Sequence, residues 1–176
     1  MKGVRKIATT GIWKIEKRLD NVIDYTTNIE KTINSDYCKD SYYDLHNVID
    51  YVEADYKTEK QFYVSGVNCN PKTALEEMTI TKEQYGKTGG ILGFHAFQSF
   101  AEGEVTPEQC HAIGVRLAEE MWGDRFEVVV STHLNTNHYH NHFVINSVSF
   151  KDGKRYYDKR ETYAELRRLS DGVSIK

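Results

Sequence analysis

The sequence has few cysteines, few prolines and no long apolar run, and these shortages exclude several classes of protein. The chain of 176 residues has only three cysteines, whose odd number and scattered positions argue against a disulfide framework or a cysteine-rich zinc site. It has no run of about 18 apolar residues, so we predict no membrane span and no membrane partner. The basic N-terminus is not followed by a hydrophobic segment, so we predict no signal peptide and a cytoplasmic location.

An excess of positive charge is also missing. The net charge of −3 argues against a protein that attracts nucleic acid over long distances. The charges are nevertheless uneven, because basic residues gather at both ends of the chain and acidic residues gather between positions 36 and 59. A basic stripe formed by the two ends can hold a phosphate backbone beside a reactive site. On this hypothesis Lys154 and Arg155 contact nucleic acid, and on the alternative they are solvated surface charges.

The length and periodicity of the sequence predict one α+β domain over residues 1–176. We expect a central, mainly antiparallel five-stranded sheet with flanking helices. The two prolines, Pro71 and Pro107, each follow a cap residue and mark helix starts. Strands are predicted at residues 7–15, 61–67, 91–100, 126–132 and 139–150. Helices are predicted at residues 17–25, 42–54, 70–85 and 106–122 and from 159 onward, with a loop at 26–41 and a turn at 151–154.

Four of the seven histidines lie in one short segment that ends in an apolar run. If the two flanking segments are strands joined by a polar turn, His140 and His142 point to one face because strand side chains alternate. His133, at the end of the neighbouring strand, can bind the same ion as a third ligand. The spacing therefore predicts a metal site in the middle of the sheet, with helices packed on the opposite face. The alternative is a polar hairpin with surface histidines.

Three imidazoles indicate a catalytic rather than a structural metal. They suit Mn²⁺, Zn²⁺, Fe²⁺, Co²⁺ or Ni²⁺ and leave positions for a substrate oxygen or water, whereas structural zinc normally has a fourth protein ligand. Such an ion can polarise phosphoryl oxygens while a P–O bond is exchanged. From the residues alone, the nucleophile can be either water or a side-chain hydroxyl.

For other residues near the three histidines, the sequence indicates a role in the site less clearly. His138, in the expected turn, can be a fourth ligand, a DNA contact or a bystander. Asn146 shares the face of His140 and His142 by period two, so it either supports the ligands or lies on the surface. His95, a single histidine between aromatic residues on its strand, is predicted to be structural.

A short internal repeat contains two tyrosines in equivalent positions. Residues 19–25 and 45–51 are near copies that end in Tyr25 and Tyr51, and a Lys-Thr pair follows each of them. The spacing does not decide between the two, and a tyrosine is more often a packing residue than a chemical one.

Three segments together resemble the relaxase/mobilisation nuclease family of bacterial conjugative plasmids and integrative elements. Residues 19–25 with Lys31-Thr32 look like the family's first motif, which carries the nucleophilic tyrosine. Residues 98–104 with 106–108 look like its second motif, and residues 133–142 look like its metal-binding histidine motif. The resemblance extends from about Ala8 to the end of the chain, and it implies a fold like that of the HUH relaxases.

The resemblance assigns roles residue by residue. It makes Tyr25 the attacking group, with His133, His140 and His142 as ligands and Ser99 as a DNA contact near the scissile phosphate. Asn135 stands where the family often has an acidic residue; an amide can fix a histidine tautomer but cannot act as a base. We therefore expect Asp24 or the metal to favour the phenolate, because an unperturbed phenol has a pKa of about 10.

The implied activity is site- and strand-specific nicking at a transfer origin, which leaves a 5′-phosphotyrosine and a free 3′-OH. The implied metal is Mn²⁺ or Mg²⁺, with Zn²⁺, Co²⁺ or Ni²⁺ possible at three histidines. The implied partners are single-stranded and hairpin DNA, accessory DNA-binding proteins and a coupling protein. The chain would then be the N-terminal catalytic part of a longer bacterial protein.

Three alternatives predict different behaviour. A rolling-circle replication initiator uses related chemistry and differs in the DNA origin that it recognises. A histidine-triad nucleotide hydrolase needs no metal, but it has an apolar residue where this chain has Asn141. A metal-stabilised DNA-binding module would bind DNA without forming a covalent adduct.

Overall fold

The computed structural model describes residues 8–32 and 63–174. The predicted helix at 42–54, most of the predicted loop at 26–41, and Tyr51 lie outside these residues. The described strands are β1 Thr9–Ile15, β2 Val64–Val67, β3 Gly93–Ser99, β4 Val128–His133 and β5 His140–Asn146. The described helices are α1 Leu19–Thr26, α2 Ile29–Thr32, α3 Ala74–Gln84, α4 Pro107–Trp122 and α5 Arg160–Ser174, and a 3₁₀ turn at Pro71–Thr73 precedes α3.

The five strands form one antiparallel sheet in the order β1-β3-β5-β4-β2. The central strand is β5, and its partner β4 is joined to it by the histidine-rich turn. In their register His133 lies opposite His140, and Ser131 lies opposite His142. The α+β class with a central antiparallel five-stranded sheet is therefore confirmed. No helix in residues 8–32 and 63–174 has the length and apolar character needed to cross a membrane.

Both faces of the sheet carry helices. On one face Phe143, Val130 and their neighbours pack against Leu117 and Trp122 of α4 and Leu166 of α5. The other face carries the histidines, and we call it the histidine face. One end of the histidine face is apolar and is covered by α1 and α3 in a cluster made of Ile15, Leu19, Ile23, Val64, Ala74, Met78, Val129 and Val144. The helices predicted opposite the histidines are present, and α1 and α3 also cover part of the histidine face because its apolar end has to be buried.

The predicted helix starts are present. Thr106 Oγ1 accepts a hydrogen bond from the Gln109 backbone N–H, and Gln109 Oε1 accepts one from the Thr106 N–H, which together form a capping box. Asn70 Oδ1 likewise accepts from the Lys72 N–H, but the residues that follow form the 3₁₀ turn before α3 begins. Both prolines occupy first-turn positions, where the missing N–H costs nothing.

Two further differences from the prediction concern the end of β5 and the predicted loop at 26–41. β5 ends at Asn146, and Val148 then makes an isolated antiparallel bridge with Arg155 around a turn in which Gly153 has φ 69°. The predicted loop at 26–41 contains the short helix α2. That helix is fixed to β4 because the Leu134 N–H donates to the Lys31 carbonyl oxygen at 2.7 Å. A tertiary contact of this kind has no local sequence signal.

Candidate metal centre and nucleophile

The three predicted ligands come together on the histidine face at the end of the β4–β5 hairpin. His133, His140 and His142 each offer a ring nitrogen, and these nitrogens lie within 4.8 Å of one another. His133 and His142 are buried, whereas His140 is half-buried and borders solvent. The site is therefore anchored in the core and open on one side, as substrate access to a catalytic metal requires.

Hydrogen bonds orient two of the rings. The Nε2–H of His133 donates to the Thr26 carbonyl oxygen at 2.8 Å, which leaves Nδ1 with its lone pair. The Nδ1–H of His140 donates to the His138 carbonyl oxygen at 2.9 Å, which leaves Nε2. Metal-ligating histidines usually donate their second ring N–H in this way, and the bond fixes both the tautomer and the ring orientation.

The third ring is oriented by a fourth histidine. Nδ1 of His142 and Nε2 of His95 share a hydrogen bond of 2.7 Å. The other nitrogen of His142, Nε2, is buried and has no hydrogen-bond partner among the residues that the structure describes. An unsatisfied buried nitrogen is costly, and a cation at this point would satisfy it. The residues present therefore fit a divalent ion.

Burial keeps the imidazoles of His133, His142 and His95 neutral. It is the largest cause of a pKa of about 4 for His133 and about 2 for His142; the neighbouring histidines and Lys31 act in the same direction, and the hydrogen bond to Thr26 opposes them in His133. Burial also lowers the pKa of His95 to about 4. At neutral pH the rings are therefore uncharged, which is the state that can donate a lone pair to a metal.

Tyr25 lies at this cluster, on the last turn of α1. Its ring centroid is 5.8 Å from that of His133 and 6.1 Å from that of His142, and its side chain is 52% exposed. The Nζ of Lys31 lies over the ring, 3.4 Å from its centroid. The position follows from the helix, because α1 buries Leu19, Ile23 and Thr26 against the sheet while Tyr25 projects from its edge.

A buried polar network holds the hairpin from the opposite face of the sheet. Thr132 Oγ1 donates to Asn141 Oδ1 at 2.6 Å, and Asn141 Nδ2 donates to Gln98 Oε1 at 3.1 Å. Gln98 Nε2 in turn donates to Ser170 Oγ of α5 at 2.8 Å. Residue 114 of α4 is a glycine, and a Cβ there would lie 2.5 Å from Asn141 Nδ2. Asn141, which lies between two ligands in sequence, is therefore a buried structural residue.

Two further predicted residues lie beside the ligands. Ser99, at the end of β3, is half-buried on the histidine face directly opposite His140. His138 lies in the turn with its Nδ1 3.3 Å from the Phe100 carbonyl oxygen, and its ring is not part of the three-histidine group. His138 instead contributes through its backbone, because its carbonyl oxygen holds His140.

Asn146 does not join the histidines, although it shares their face. Its side chain donates to the Met78 carbonyl oxygen and to Glu127, and it accepts from the ammonium group of Lys82. Both charged residues are buried, and Asn146 bridges them. The expectation that it supports the ligands is corrected, because Val144 separates it from His142 along the strand and its hydrogen bonds are all used elsewhere.

The remaining predicted residues lie outside the cluster. Asn135 is exposed in the turn and makes no side-chain hydrogen bond to a histidine within the described ranges. Asp24 is exposed and faces a depression lined by α1 and the 3₁₀ turn. Lys154 and Arg155 follow the far end of β5. Because that end is six residues from His140 along the strand, it lies roughly 20 Å away. The guanidinium of Arg155 donates to the Gly89 carbonyl oxygen at 3.0 Å.

The contribution of His95 was not predicted. Its place in an aromatic strand indicated a structural residue, and only the register of β3 against β5 brings it to His142. Lys31 was recognised as part of a Lys-Thr pair but not as the cation over Tyr25. Sequence spacing gives no strand register and no helix docking, so neither contact has a signal in the sequence.

Replacing His95 with alanine is expected to weaken Mn²⁺ binding by about 10–100-fold, because His142 then loses the partner that fixes its tautomer. His95→Gln is expected to retain most of the affinity, since its amide oxygen can accept the Nδ1–H of His142. Isothermal titration with MnCl₂ measures the difference. The matched control is His111→Ala, which removes a half-buried histidine whose partners are Ser65 and Thr132. Equal losses in the His95→Ala and His111→Ala variants would contradict the role of His95.

Comparison with known proteins identifies the family of this chain. The profile of the relaxase family described as MobA/VirD2-like, nuclease domain, matches residues 51–176. A protein rlx from Staphylococcus aureus is 39% identical over 111 residues, which are 63% of this chain and 33% of that protein. The group II intron-interrupted relaxase LtrB of Lactococcus lactis subsp. cremoris is 32% identical over 145 residues, which are 80% of this chain and 25% of that protein. The chain thus spans a third or less of the length of these relatives.

The fold has a counterpart among solved structures. A structure from work on the molecular basis of vancomycin resistance transfer in Staphylococcus aureus superimposes with a TM-score of 0.57. It covers 96% of this chain and 91% of that chain at 13% sequence identity, so the likeness concerns the fold alone. The profile match, which covers more than half of the chain and spans the histidine hairpin, shows that the chain belongs to the MobA/VirD2-like relaxase nuclease family.

Proposed function

We propose that this chain nicks one strand of DNA at a transfer origin by transesterification, with Tyr25 as the nucleophile. The observation that carries the proposal is the position of Tyr25, whose half-exposed ring lies 5.8 Å from His133 at the edge of the three-histidine cluster. The profile match begins after Tyr25, so the choice of this tyrosine depends on that geometry and on the resemblance of residues 19–32 to the family's first motif.

The proposed reaction exchanges one phosphoester bond for another. The phenol oxygen of Tyr25 attacks the scissile phosphorus, the P–O3′ bond breaks, and the 5′-phosphate stays on the tyrosine. The phenol proton leaves to solvent, which reaches the exposed side chain, and the departing 3′ oxygen takes up a proton to become the free 3′-OH. Because the phosphoester bond is conserved, the reverse attack by a 3′-OH can rejoin the strand.

Lys31 is proposed to hold the Tyr25 ring in place beside the histidines, because a cation over an aromatic ring is attracted to its face. Asp24 is adjacent to Tyr25 in sequence, but its side chain borders the depression beside the 3₁₀ turn. Its proposed contribution therefore rests on that adjacency alone. Ser99, opposite His140, is proposed as a contact to the DNA near the scissile phosphate.

His133, His140 and His142 are proposed to hold the divalent cation. When bound, such an ion polarises the phosphoryl oxygens and neutralises the charge that develops during the exchange. The three imidazole nitrogens favour Mn²⁺ over Mg²⁺, because Mg²⁺ prefers oxygen ligands; Zn²⁺, Co²⁺ and Ni²⁺ also suit such ligands. The half-buried His140 borders the open side, where substrate oxygens would complete the coordination shell.

The wider setting follows from the family and is likewise proposed. We infer that the DNA is single-stranded around the nick with a hairpin beside it, and that accessory DNA-binding proteins and a coupling protein act with the domain. Lys154, Arg155 and His138 are proposed DNA contacts, the first two at the end of the sheet away from the metal. The place of action would be the bacterial cytoplasm.

Formation of a covalent adduct tests the function. The protein is incubated with Mn²⁺ and a single-stranded oligonucleotide that spans the transfer origin of its own element, labelled at one end or the other. We expect a denaturation-resistant adduct that carries the 3′-end label, a shortened fragment that carries the 5′-end label, and loss of both with EDTA. Cleavage without an adduct would indicate a hydrolase, and binding without cleavage would indicate a DNA-binding module; either result would contradict the proposal.

A further inference from the structure

The histidine face carries an exposed aromatic surface that neither the metal ligands nor Tyr25 account for. Trp13 of β1 is 46% exposed, and Phe97 of β3 is half-buried beside it. Their ring centroids are 5.8 Å apart, with an angle of 48° between the rings. We call these two residues the aromatic platform. Two adjacent aromatic rings with an accessible side are able to stack on a planar ligand group.

The aromatic platform is continuous with the metal centre. The Trp13 ring contacts the ring of His95 in an edge geometry with centroids 4.5 Å apart, and His95 is hydrogen-bonded to the ligand His142. Phe97 lies directly opposite His142 in the register of β3 and β5. A ligand that reaches from Tyr25 across the histidines toward β1 therefore meets these two rings next.

The backbone of β1 leaves room for this arrangement. Gly11 lies opposite Phe97 in the sheet, and a Cβ at residue 11 would be 2.4 Å from Cε1 of that ring. The Phe97 ring therefore occupies space above β1 that a side chain at this position would fill. Since glycine weakens a strand interior, its presence here is consistent with the close approach of the ring.

The chemistry of this surface favours bases over phosphates. Its other neighbours on the same face of β1 and β3 are Thr9, Gly11 and Ser99, none of which is charged. Phosphate contacts require cations or aligned N–H groups, whereas stacking requires an accessible ring. An indole with an open side, flanked by a second ring, is the kind of residue on which successive bases of single-stranded nucleic acid stack.

We propose that the aromatic platform stacks bases of single-stranded DNA within the first few nucleotides of the scissile phosphate, with Trp13 as the main contact. This inference depends on the proposed function for its ligand. It adds two residues, on β1 and β3, that belong to none of the three motifs. Stacking there would hold the strand extended across the histidine face and keep the phosphate beside Tyr25.

The test compares DNA with and without bases. An oligothymidylate of about 12 nucleotides and an abasic strand of equal length carry the same backbone charge, and binding is measured by fluorescence anisotropy at fixed salt. We expect Trp13→Leu to bind oligothymidylate about tenfold more weakly than the wild type does and to bind the abasic strand equally well. Trp13→Phe should recover part of the loss. The control is Tyr157→Leu, which removes an aromatic side chain that is 61% exposed and lies after the far end of β5.

Intrinsic fluorescence gives a second readout. The chain has two tryptophans, and Trp122 is fully buried between α4 and the sheet, so quenching by oligothymidylate should come from Trp13 and be absent with the abasic strand. Equal affinities of the wild type and Trp13→Leu for oligothymidylate would overturn the inference while the adduct assay still supports the function. An equal loss on both strands would also overturn it, since it would indicate an indirect effect through His95. If the wild type binds neither strand, the inference fails, and the adduct assay with transfer-origin DNA decides the proposed function separately.

Discussion

The Tyr25→Phe variant is expected to form no covalent adduct with transfer-origin DNA, with a rate at least about a thousandfold below that of the wild type. Phenylalanine keeps the ring beside His133 and beneath Lys31 but lacks the oxygen that would attack phosphorus. DNA affinity and Mn²⁺ affinity should therefore remain close to the wild-type values. Denaturing gel electrophoresis of the labelled reaction measures the adduct, and anisotropy measures binding in the same samples.

The matched control is Tyr51→Phe, because residues 45–51 nearly repeat residues 19–25. Tyr51 lies outside the described residues, so the choice between the two tyrosines depends on the observed position of Tyr25 at the histidines. We expect Tyr51→Phe to retain the adduct. Retention by Tyr25→Phe together with loss by Tyr51→Phe would reverse the assignment while leaving the metal centre intact.

The second large effect is expected from His142→Ala. Loss of the hydrogen-bond partner of a metal ligand already costs about 10–100-fold in metal affinity. Loss of the ligand itself, here the buried and unsatisfied Nε2 of His142, should therefore cost more than about 100-fold. Nicking at micromolar Mn²⁺ should then be abolished. Titration with MnCl₂ and the adduct assay over a range of Mn²⁺ concentrations measure the two effects together.

His138→Ala is the control for this variant, because it removes a histidine from the same hairpin without removing a ligand. The His138 carbonyl oxygen that holds His140 belongs to the backbone and survives the substitution. We expect its Mn²⁺ affinity to stay within a few-fold of the wild-type value. A loss comparable to that of His142→Ala would mean that His138 is itself a ligand, and the three-histidine assignment would be wrong.

The sequence predicts the three-histidine cluster well because one hairpin supplies all three imidazoles. Period two places His140 and His142 on one face, and a short turn brings back His133, so local rules are sufficient. The capping box at Thr106 and the class of the fold are predictable for the same reason. Each depends on residues close together in the chain.

Contacts between distant segments could not be predicted in this way. His95 meets His142 across 47 positions, and that pairing depends on a register that alternation does not determine. Asn146 lies on the same face as the histidines, but its side chain is hydrogen-bonded to the buried Lys82 and Glu127. The sequence does not indicate these contacts. The covering of the histidine face by α1 and α3 likewise follows from burying Val129 and Val144, which only the assembled sheet brings together.

The position of Tyr25, the proposed nucleophile, could be predicted only in part from the sequence. The first-motif resemblance indicates Tyr25, whereas the distance from its ring to the histidines depends on how α1 docks against β4 and β5. Thr26 connects α1 to the histidine cluster, because its backbone carbonyl oxygen accepts a hydrogen bond from His133. The residue next to the proposed nucleophile thus helps to orient a proposed ligand, so a shift of α1 would move the histidine cluster and the Tyr25 side chain together.

Anomalous scattering from crystals of the wild-type protein grown with Mn²⁺ would test the arrangement most directly. We predict one strong peak at about 2.0–2.3 Å from Nδ1 of His133, Nε2 of His140 and Nε2 of His142, with the Tyr25 ring beside it. A peak bound by His138 or His111 instead, or no peak at the hairpin at saturating Mn²⁺, would contradict a metal-assisted tyrosine at this site.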